Sequence, residues 1–280
     1  MSLVEILKVI VLGIVEGFTE WLPISSTGHM ILVDEIIHMD QPEAFMEMFL
    51  VVIQLGAILA VAVMYFNRLN PFDRSKSRKQ KLRVWSLWIR IIIACLPAAV
   101  LGLLLDDWLE AHLYNAYVVA AMLILYGVLF ILLERSQAVE NPSVDKLGRI
   151  SGKMALGIGL FQLLALIPGT SRSGATILGA MLLGCSRPVA SEFSFFLGIP
   201  VMFGASLLKI VKYFLGGNGF TLPQVVYMLL GMVIAFGISV YSIQFLMSYV
   251  RKHKFTFFGY YRIILGVIVL AYFGITALAV

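Results

Sequence analysis

The chain has 280 residues, 60% hydrophobic and only 13% charged, with a formal net charge of +5. Soluble domains carry roughly 25% charged residues, and a mean hydropathy of +0.95 excludes that class in favour of an integral membrane protein. The positive balance does not point to nucleic acid, because most Lys and Arg fall in short segments between apolar runs, where topology signals belong.

In chain order, the N-terminus opens on Glu5 rather than a basic region and does not read as a secretory signal. A first apolar stretch, 3–37, is interrupted at Pro23. Crossing the hydrocarbon core takes about 20 apolar residues, and six runs come close: 48–67, 87–105, 116–133, 191–208, 223–249 and 263–280. Their apolar character is continuous rather than alternating, so helices are expected and not barrel strands. Arg90 sits near the start of the second run, where its long side chain can snorkel. A second interrupted stretch, 154–186, carries Arg172 alone as a charge and breaks at Pro168-Gly169. Its two halves are too short to cross. Such a helix is expected to enter, break and return, with its irregular backbone buried in protein or lining a cavity. The stretch at 3–37 is read the same way.

The expected fold is therefore an all-α polytopic membrane protein with six transmembrane helices plus two re-entrant helical hairpins, in a single domain spanning 1–280. The order of hairpin, three spans, hairpin, three spans suggests a duplication, approximately 1–135 and 150–280. Three spans per half place the second copy upside down, an inverted repeat with its site near the midplane. Connectors 68–83, 134–153 and 251–254 are rich in Lys and Arg, whereas 106–112 carries Asp106, Asp107 and Glu110, and 209–222 only Lys209 and Lys212. The positive-inside rule puts the first three in the cytoplasm and the other two outside. Cys95 and Cys185 lie in apolar runs and form neither a disulfide framework nor a zinc pattern.

The chemistry concentrates at the two interruptions. The first reads EGFTEWLPISSTGH at 16–29. Glu16 and Glu20 share a helix face, and burying an ionised carboxylate without a partner is very costly. Ionisable groups inside a membrane are functional candidates by default, a structural polar contact being the bland alternative. Ser25, Ser26 and Thr27 stand where a second half-helix would begin, as caps or beside backbone N–H groups that face an anion. Gly28 permits close approach, and His29 follows. The second interruption reads PGTSRSGAT at 168–176. It supplies Ser171, Arg172, Ser173 and Gly174. A guanidinium fork matches phosphate oxygens, and a structural Glu–Arg pair is the bland alternative. Gln54 and Gln162 either line a cavity or bond between helices.

Together with FLVVIQLGAILAV at 49–61 and ASEFSFFL at 190–197, these segments resemble the undecaprenyl-diphosphatase family, also called bacitracin-resistance proteins, over essentially the whole chain. The resemblance implies a multi-pass enzyme of the bacterial inner membrane, its site opening to the periplasmic side. It implies hydrolysis of undecaprenyl diphosphate to undecaprenyl phosphate and inorganic phosphate, which recycles the lipid carrier for cell-wall synthesis and confers bacitracin resistance. A divalent cation, Mg²⁺ or Ca²⁺, is implied, as are roles for Glu16, Glu20, Ser25, Ser26, Thr27, His29, Arg172 and Ser173. Where many relatives place an acid after the phenylalanine of the FEVVIQLG-like run, this chain has Leu50, with Glu47 close by. Ser26 is the expected nucleophile, with His29 or Glu20 taking its proton; attack by water or by His29 are the alternatives. A lipid-carrier flippase on the same architecture is the rival reading. The phosphatidic-acid-phosphatase type of membrane phosphatase fits poorly, because the only histidine after Arg172 is His253 in a basic connector. Oligomeric state, a homo-oligomer included, is left open.

Overall fold

The computed structural model describes residues 2–279, and these are helical almost throughout, with no strand among them. Val280, the expected end of the last span, lies outside the described residues, as do the side chains of Asp106 and Glu110. Thirteen α-helices run in chain order. α1 (Leu3–Thr19) and α2 (Ser26–Ile37) flank the first interruption; α9 (Gly152–Leu163) and α10 (Arg172–Leu182) flank the second. Short helices α5 (Phe66–Leu69) and α8 (Gln137–Glu140) sit in basic connectors.

Among the described residues, six segments are long and apolar enough to cross a membrane: Glu43–Met64, Arg78–Leu105, Ala116–Glu134, Arg187–Leu215, Leu222–Tyr249 and Thr256–Ile275. The first consists of α3 (Glu43–Val52) and α4 (Gln54–Met64), which meet at Ile53. Ser206 Oγ donates to the Val51 carbonyl at 3.0 Å beside this break, as a backbone group freed inside an apolar bundle requires. α7 (Ala116–Glu134), α11 (Arg187–Leu215), α12 (Leu222–Tyr249) and α13 (Thr256–Ala279) complete the set with α6 (Arg78–Leu113).

The helix starts follow from local chemistry. Ser77 with Gln80 and Thr221 with Gln224 form capping boxes for α6 and α12. Asn115 and Ser151 cap α7 and α9, each accepting from a backbone N–H of the first turn. The Ser77 cap also explains a difference from the sequence expectation. α6 begins nine residues before 87 and runs unbroken to Leu113, so 106–112 is a polar helix end and not a loop. Arg90 therefore lies well inside the helix, and Nη1 reaches the Gly148 carbonyl of the second basic connector at 3.4 Å.

Packing is glycine-mediated. Gly13 and Gly17 of α1 face Gly231 and Ala235 of α12, Gly159 of α9 faces Ala94 of α6, and Gly127 of α7 faces Gly259 of α13. Small residues let helix backbones approach where lipid offers no hydrophobic drive between helices. Both interrupted stretches fold back on themselves. Lys8 Nζ near the start of α1 donates to the His38 carbonyl, just past α2, at 2.6 Å. A Cβ on Gly157 early in α9 would meet Leu183 just past α10 at 2.9 Å. Lys212 of α11 pairs with Asp107 of α6 at 3.0 Å, which brings the two connectors with few cations to one face.

Candidate active site

The two interruptions meet inside the bundle, and each is built the same way. α1 stays helical through Glu20, whose N–H donates to the Glu16 carbonyl at 3.0 Å. The chain leaves the helix before Pro23 and re-enters it at Ser26. Ser25 precedes α2 with φ +72°, and its Oγ accepts from Gly28 N–H at 3.3 Å. Ser171 precedes α10 with φ +71°, and its Oγ accepts from Gly174 N–H at 3.1 Å. These are the only non-glycine residues with positive φ among those described. Such a backbone is uncommon outside glycine and tends to gather at functional sites.

Glu20 is the hub. One carboxylate oxygen accepts from Arg172 Nη2 at 2.8 Å, and the other accepts from Ser26 Oγ at 2.9 Å. Both Glu20 and Ser26 are buried. Arg172 also donates from Nη1 to the Ser194 carbonyl at 2.7 Å, and its guanidinium lies 5.6 Å from the Trp21 ring centre. Trp21 is held edge-on against Phe195. Ser173 Oγ donates to the Glu20 carbonyl at 3.0 Å and stitches α10 to the end of α1. Glu20, Ser26, Arg172 and Ser173 are thus brought into direct contact. Ser25 and Ser171 serve as caps. Gly28 and Gly174 give room, since an added Cβ would meet Leu123 at 3.1 Å and Arg262 at 3.2 Å respectively. Thr27 is half-buried in the first turn of α2.

Among the described residues, no side-chain hydrogen bond joins His29 to Ser26. Its Nδ1 lies 2.7 Å from the Ser25 carbonyl, which accepts only, so Nδ1 carries a proton and donates. Nε2 lies 2.7 Å from the Tyr261 hydroxyl, and the two rings stack. Of the two candidate bases for Ser26, the structure places Glu20 within reach.

Glu16 lies one turn before Glu20, within electrostatic reach of Glu20 and Arg172. Its Oε1 is buried without a hydrogen-bond partner, as are Trp21 Nε1, Thr170 Oγ1 and Arg172 Nε. Buried polar atoms are rarely left unpaired, and here four belong to one cluster. Gln162 is likewise buried with its amide unpaired, and Gln54 is half-buried beside the α3–α4 break.

Arg262 on α13 was not singled out from the sequence. It is fully buried and donates to five backbone carbonyls: Pro23 from Nη1 at 3.1 Å, Gly169 and Thr170 from Nη2 at 2.8 and 3.0 Å, and Met122 and Leu123 at 3.3 and 3.4 Å. The first three are carbonyls that the two interruptions release. One side chain thereby holds both breaks. In the sequence it stands eight residues after Lys254 and reads as one more connector cation. The available signal was that a span starting at Thr256 puts Arg262 inside the apolar run.

An acid joined to a serine and an arginine, set where two helices begin, defines a membrane protein equipped to handle a phosphate-bearing substrate. The profile of the bacitracin resistance protein BacA family matches residues 9–268, and the chain belongs to this family. Among curated relatives, the undecaprenyl-diphosphatase of Streptococcus thermophilus (strain ATCC BAA-250 / LMG 18311) is 57% identical over 270 residues, covering 96% of this chain and 94% of that protein. The undecaprenyl-diphosphatase of Enterococcus faecalis is 55% identical over 272 residues, covering 97% and 99%. That of Desulfitobacterium hafniense is 58% identical over 275 residues, covering 98% of both.

Proposed function

We propose that the protein is an undecaprenyl-diphosphate phosphatase of the bacterial inner membrane. It releases inorganic phosphate and returns undecaprenyl phosphate to cell-wall synthesis, and this turnover underlies bacitracin resistance. Family membership and the relatives' shared name support the activity. The observation that carries the site assignment is the single carboxylate of Glu20, bonded at once to Ser26 Oγ and to Arg172.

The reaction follows from that contact. A diphosphate entering the cluster offers Arg172 phosphate oxygens in place of the Glu20 carboxylate. The Glu20 oxygen bonded to Ser26 Oγ stays in place as the proton acceptor. Ser26 Oγ attacks the terminal phosphorus as its proton passes to Glu20. The bridging P–O bond breaks, and the electron pair leaves on the lipid monophosphate. Arg172 and the N-termini of α2 and α10 stabilise the transferring group, where positioning and charge do most of the work. Water then attacks the phosphoserine, frees inorganic phosphate and restores Ser26.

A divalent cation fits the residues present. Among those described, no three His, Cys, Asp or Glu gather to form a resident cage, but Glu16 offers an unpaired buried oxygen. Mg²⁺ typically binds one or two carboxylates plus substrate phosphates, and Ca²⁺ takes the same oxygen ligands. Glu16 and Glu20 are its ligands in this reading, and the ion would neutralise charge on the diphosphate.

The two folded-back helix pairs are read as re-entrant hairpins of an inverted repeat, in halves of about 1–135 and 150–280. The matched caps Ser25 and Ser171 support this, as does the packing of α1 on α12 mirrored by that of α9 on α6. The step from Ser25 to Ser171 also carries Glu16 onto Gln162, so one repeat keeps an acid where the other has its amide. This register is set by the caps and differs by one residue from an alignment on Pro23 and Pro168. The site is assigned to the periplasmic side, opposite the basic connectors. The same symmetry is the ground for the rival reading, a flippase for the lipid carrier.

Phosphate release from farnesyl diphosphate by the purified chain in detergent tests the proposal. Release should need Mg²⁺ and stop with EDTA, and Arg172→Ala should abolish it. A well-folded wild type that releases nothing sinks the enzyme reading and leaves the flippase.

A further inference from the structure

The basic connectors do more than mark one face, because all three converge on a single cavity of about 990 Å³. Seven cations line it against two carboxylates, Asp145 and Glu192. Both acids are already engaged, Asp145 with Arg149 at 2.8 Å and Glu192 with Arg68. Lys76 is held by the carbonyls of Asn67 and Asn70. Arg83, Arg90, Lys146 and Arg251 remain. Among the described residues, none of these four has a carboxylate partner. Cations scattered over a surface satisfy the positive-inside rule equally well. Four cations without a carboxylate partner, two on α6 and one from each of the other two connectors, repel one another across one concavity unless an anion joins them; among the described residues Arg90 alone of the four has a carbonyl, that of Gly148 at 3.4 Å.

The cavity wall also carries Val84, Leu87, Val189 and Phe196. A second cavity of about 450 Å³ adjoins it and shares Tyr65, Met247 and Arg251. Met64, Ile243 and Met247 give it an apolar side, facing Gln244, Ser248 and Arg251, where α4 packs on α12. A soluble anion would use only the first space. An amphiphile with an anionic head and a hydrocarbon chain would use both. α11 also links this region to the cluster described above, since Glu192 faces the cavity while the Ser194 carbonyl, two residues on, holds Arg172.

We propose that the two cavities form a binding site for a lipid phosphomonoester on the face opposite the proposed catalytic opening. Its phosphate sits among Arg83, Arg90, Lys146 and Arg251, and its chain leaves between α4 and α12. A phosphomonoester carries about −1.5 to −2 charge near neutral pH, which suits several unpaired cations better than the single charge of a phosphodiester lipid. The choice of a prenyl monophosphate as probe rests on the proposed function, whose product belongs to that class; the cavity itself does not.

The test is photolabelling of the full chain in nanodiscs with farnesyl monophosphate carrying a diazirine on its first isoprene unit, with labelled peptides mapped by mass spectrometry. Label is expected on the α4 and α12 peptides that contain Tyr65 and Met247. Arg90→Gln combined with Arg251→Gln should cut that labelling by about tenfold or more, as expected for lost charge-assisted contacts. Hydrolysis of farnesyl diphosphate should be retained, and Arg90→Lys with Arg251→Lys should restore labelling. Excess farnesyl monophosphate should displace the label. Displacement by inorganic phosphate at equal concentration would make this a soluble-anion site, and displacement by phosphatidylglycerol a general anionic-lipid site; either overturns the proposal. Unchanged labelling in the Gln variant, or no labelling of α4 and α12, overturns it too. A wild type that is labelled there but hydrolyses nothing would sink the proposed function and leave this site standing.

Discussion

Ser26 and His29 stand for two routes, of which the sequence favours Ser26 as nucleophile without excluding the other. Both follow the first interruption, and spacing does not say which one the chemistry uses. The geometry gives Ser26 a carboxylate partner and gives His29 a carbonyl and a tyrosine hydroxyl. Ser26→Ala is therefore expected to lower phosphate release by at least about 10²- to 10⁴-fold, the usual range for losing a positioned proton-transfer pair. His29→Gln should cost much less, because an amide can still donate to the Ser25 carbonyl. Rapid quench of wild type with labelled substrate should trap phosphoserine at Ser26. An inactive His29→Gln variant alongside an active Ser26→Ala variant would reverse the assignment. Arg172→Lys belongs to the same scale. Lysine has one nitrogen where Arg172 uses two, on Glu20 and on the Ser194 carbonyl, so a large loss is expected despite the retained charge.

At the scale of elements, the bundle depends on how interrupted helices are tolerated in lipid. A helix that stops at membrane depth exposes carbonyls that nothing else there can satisfy, and Arg262 answers for both stops at once. Arg262→Met should destabilise the protein by about 3 kcal/mol or more, as for a buried network robbed of one partner. Thermal unfolding in detergent reads this directly. Arg262→Lys should recover only part of it, since one ammonium cannot reach carbonyls on three elements. Close helix contacts set a second limit. A Cβ at Gly17 would lie 2.6 Å from the Ala235 carbonyl, so Gly17→Val should cost about 1–3 kcal/mol by overpacking and push α1 off α12. The helices and both interruptions were legible because they rest on run length and on proline and glycine, which act locally. The Glu20–Arg172 contact was legible as a Glu–Arg pairing but not as to which acid, Glu16 or Glu20, because 152 residues separate Arg172 from Glu20. Arg262 and the break at Ile53 were not legible, since each depends on what another helix supplies, Ser206 in the second case.

At the scale of the molecule, the distribution of charge and the fold agree on two faces. The three cation-rich connectors close on one cavity, while Asp107 and Lys212 tie together the ends of α6 and α11 at the other side. The positive-inside rule turns that polarity into an orientation, and thiol labelling can check it. Ser75 lies in the first basic connector and Asn218 between α11 and α12; both are exposed. The native thiols interfere little. Cys95 and Cys185 are both buried, and burial pushes the Cys185 thiol up to about 11, leaving scarcely any reactive thiolate near neutral pH. An impermeant maleimide added to spheroplasts should therefore label Asn218→Cys and spare Ser75→Cys until the membrane is opened. The reverse pattern would turn the molecule over. The basic cavity would then face outward and the Glu20–Arg172 cluster would have to be reached from the cytoplasm, which would remove the assignment of hydrolysis to the outer side. Labelling of both positions before opening would contradict a three-span offset between the two connectors, and with it the inverted repeat.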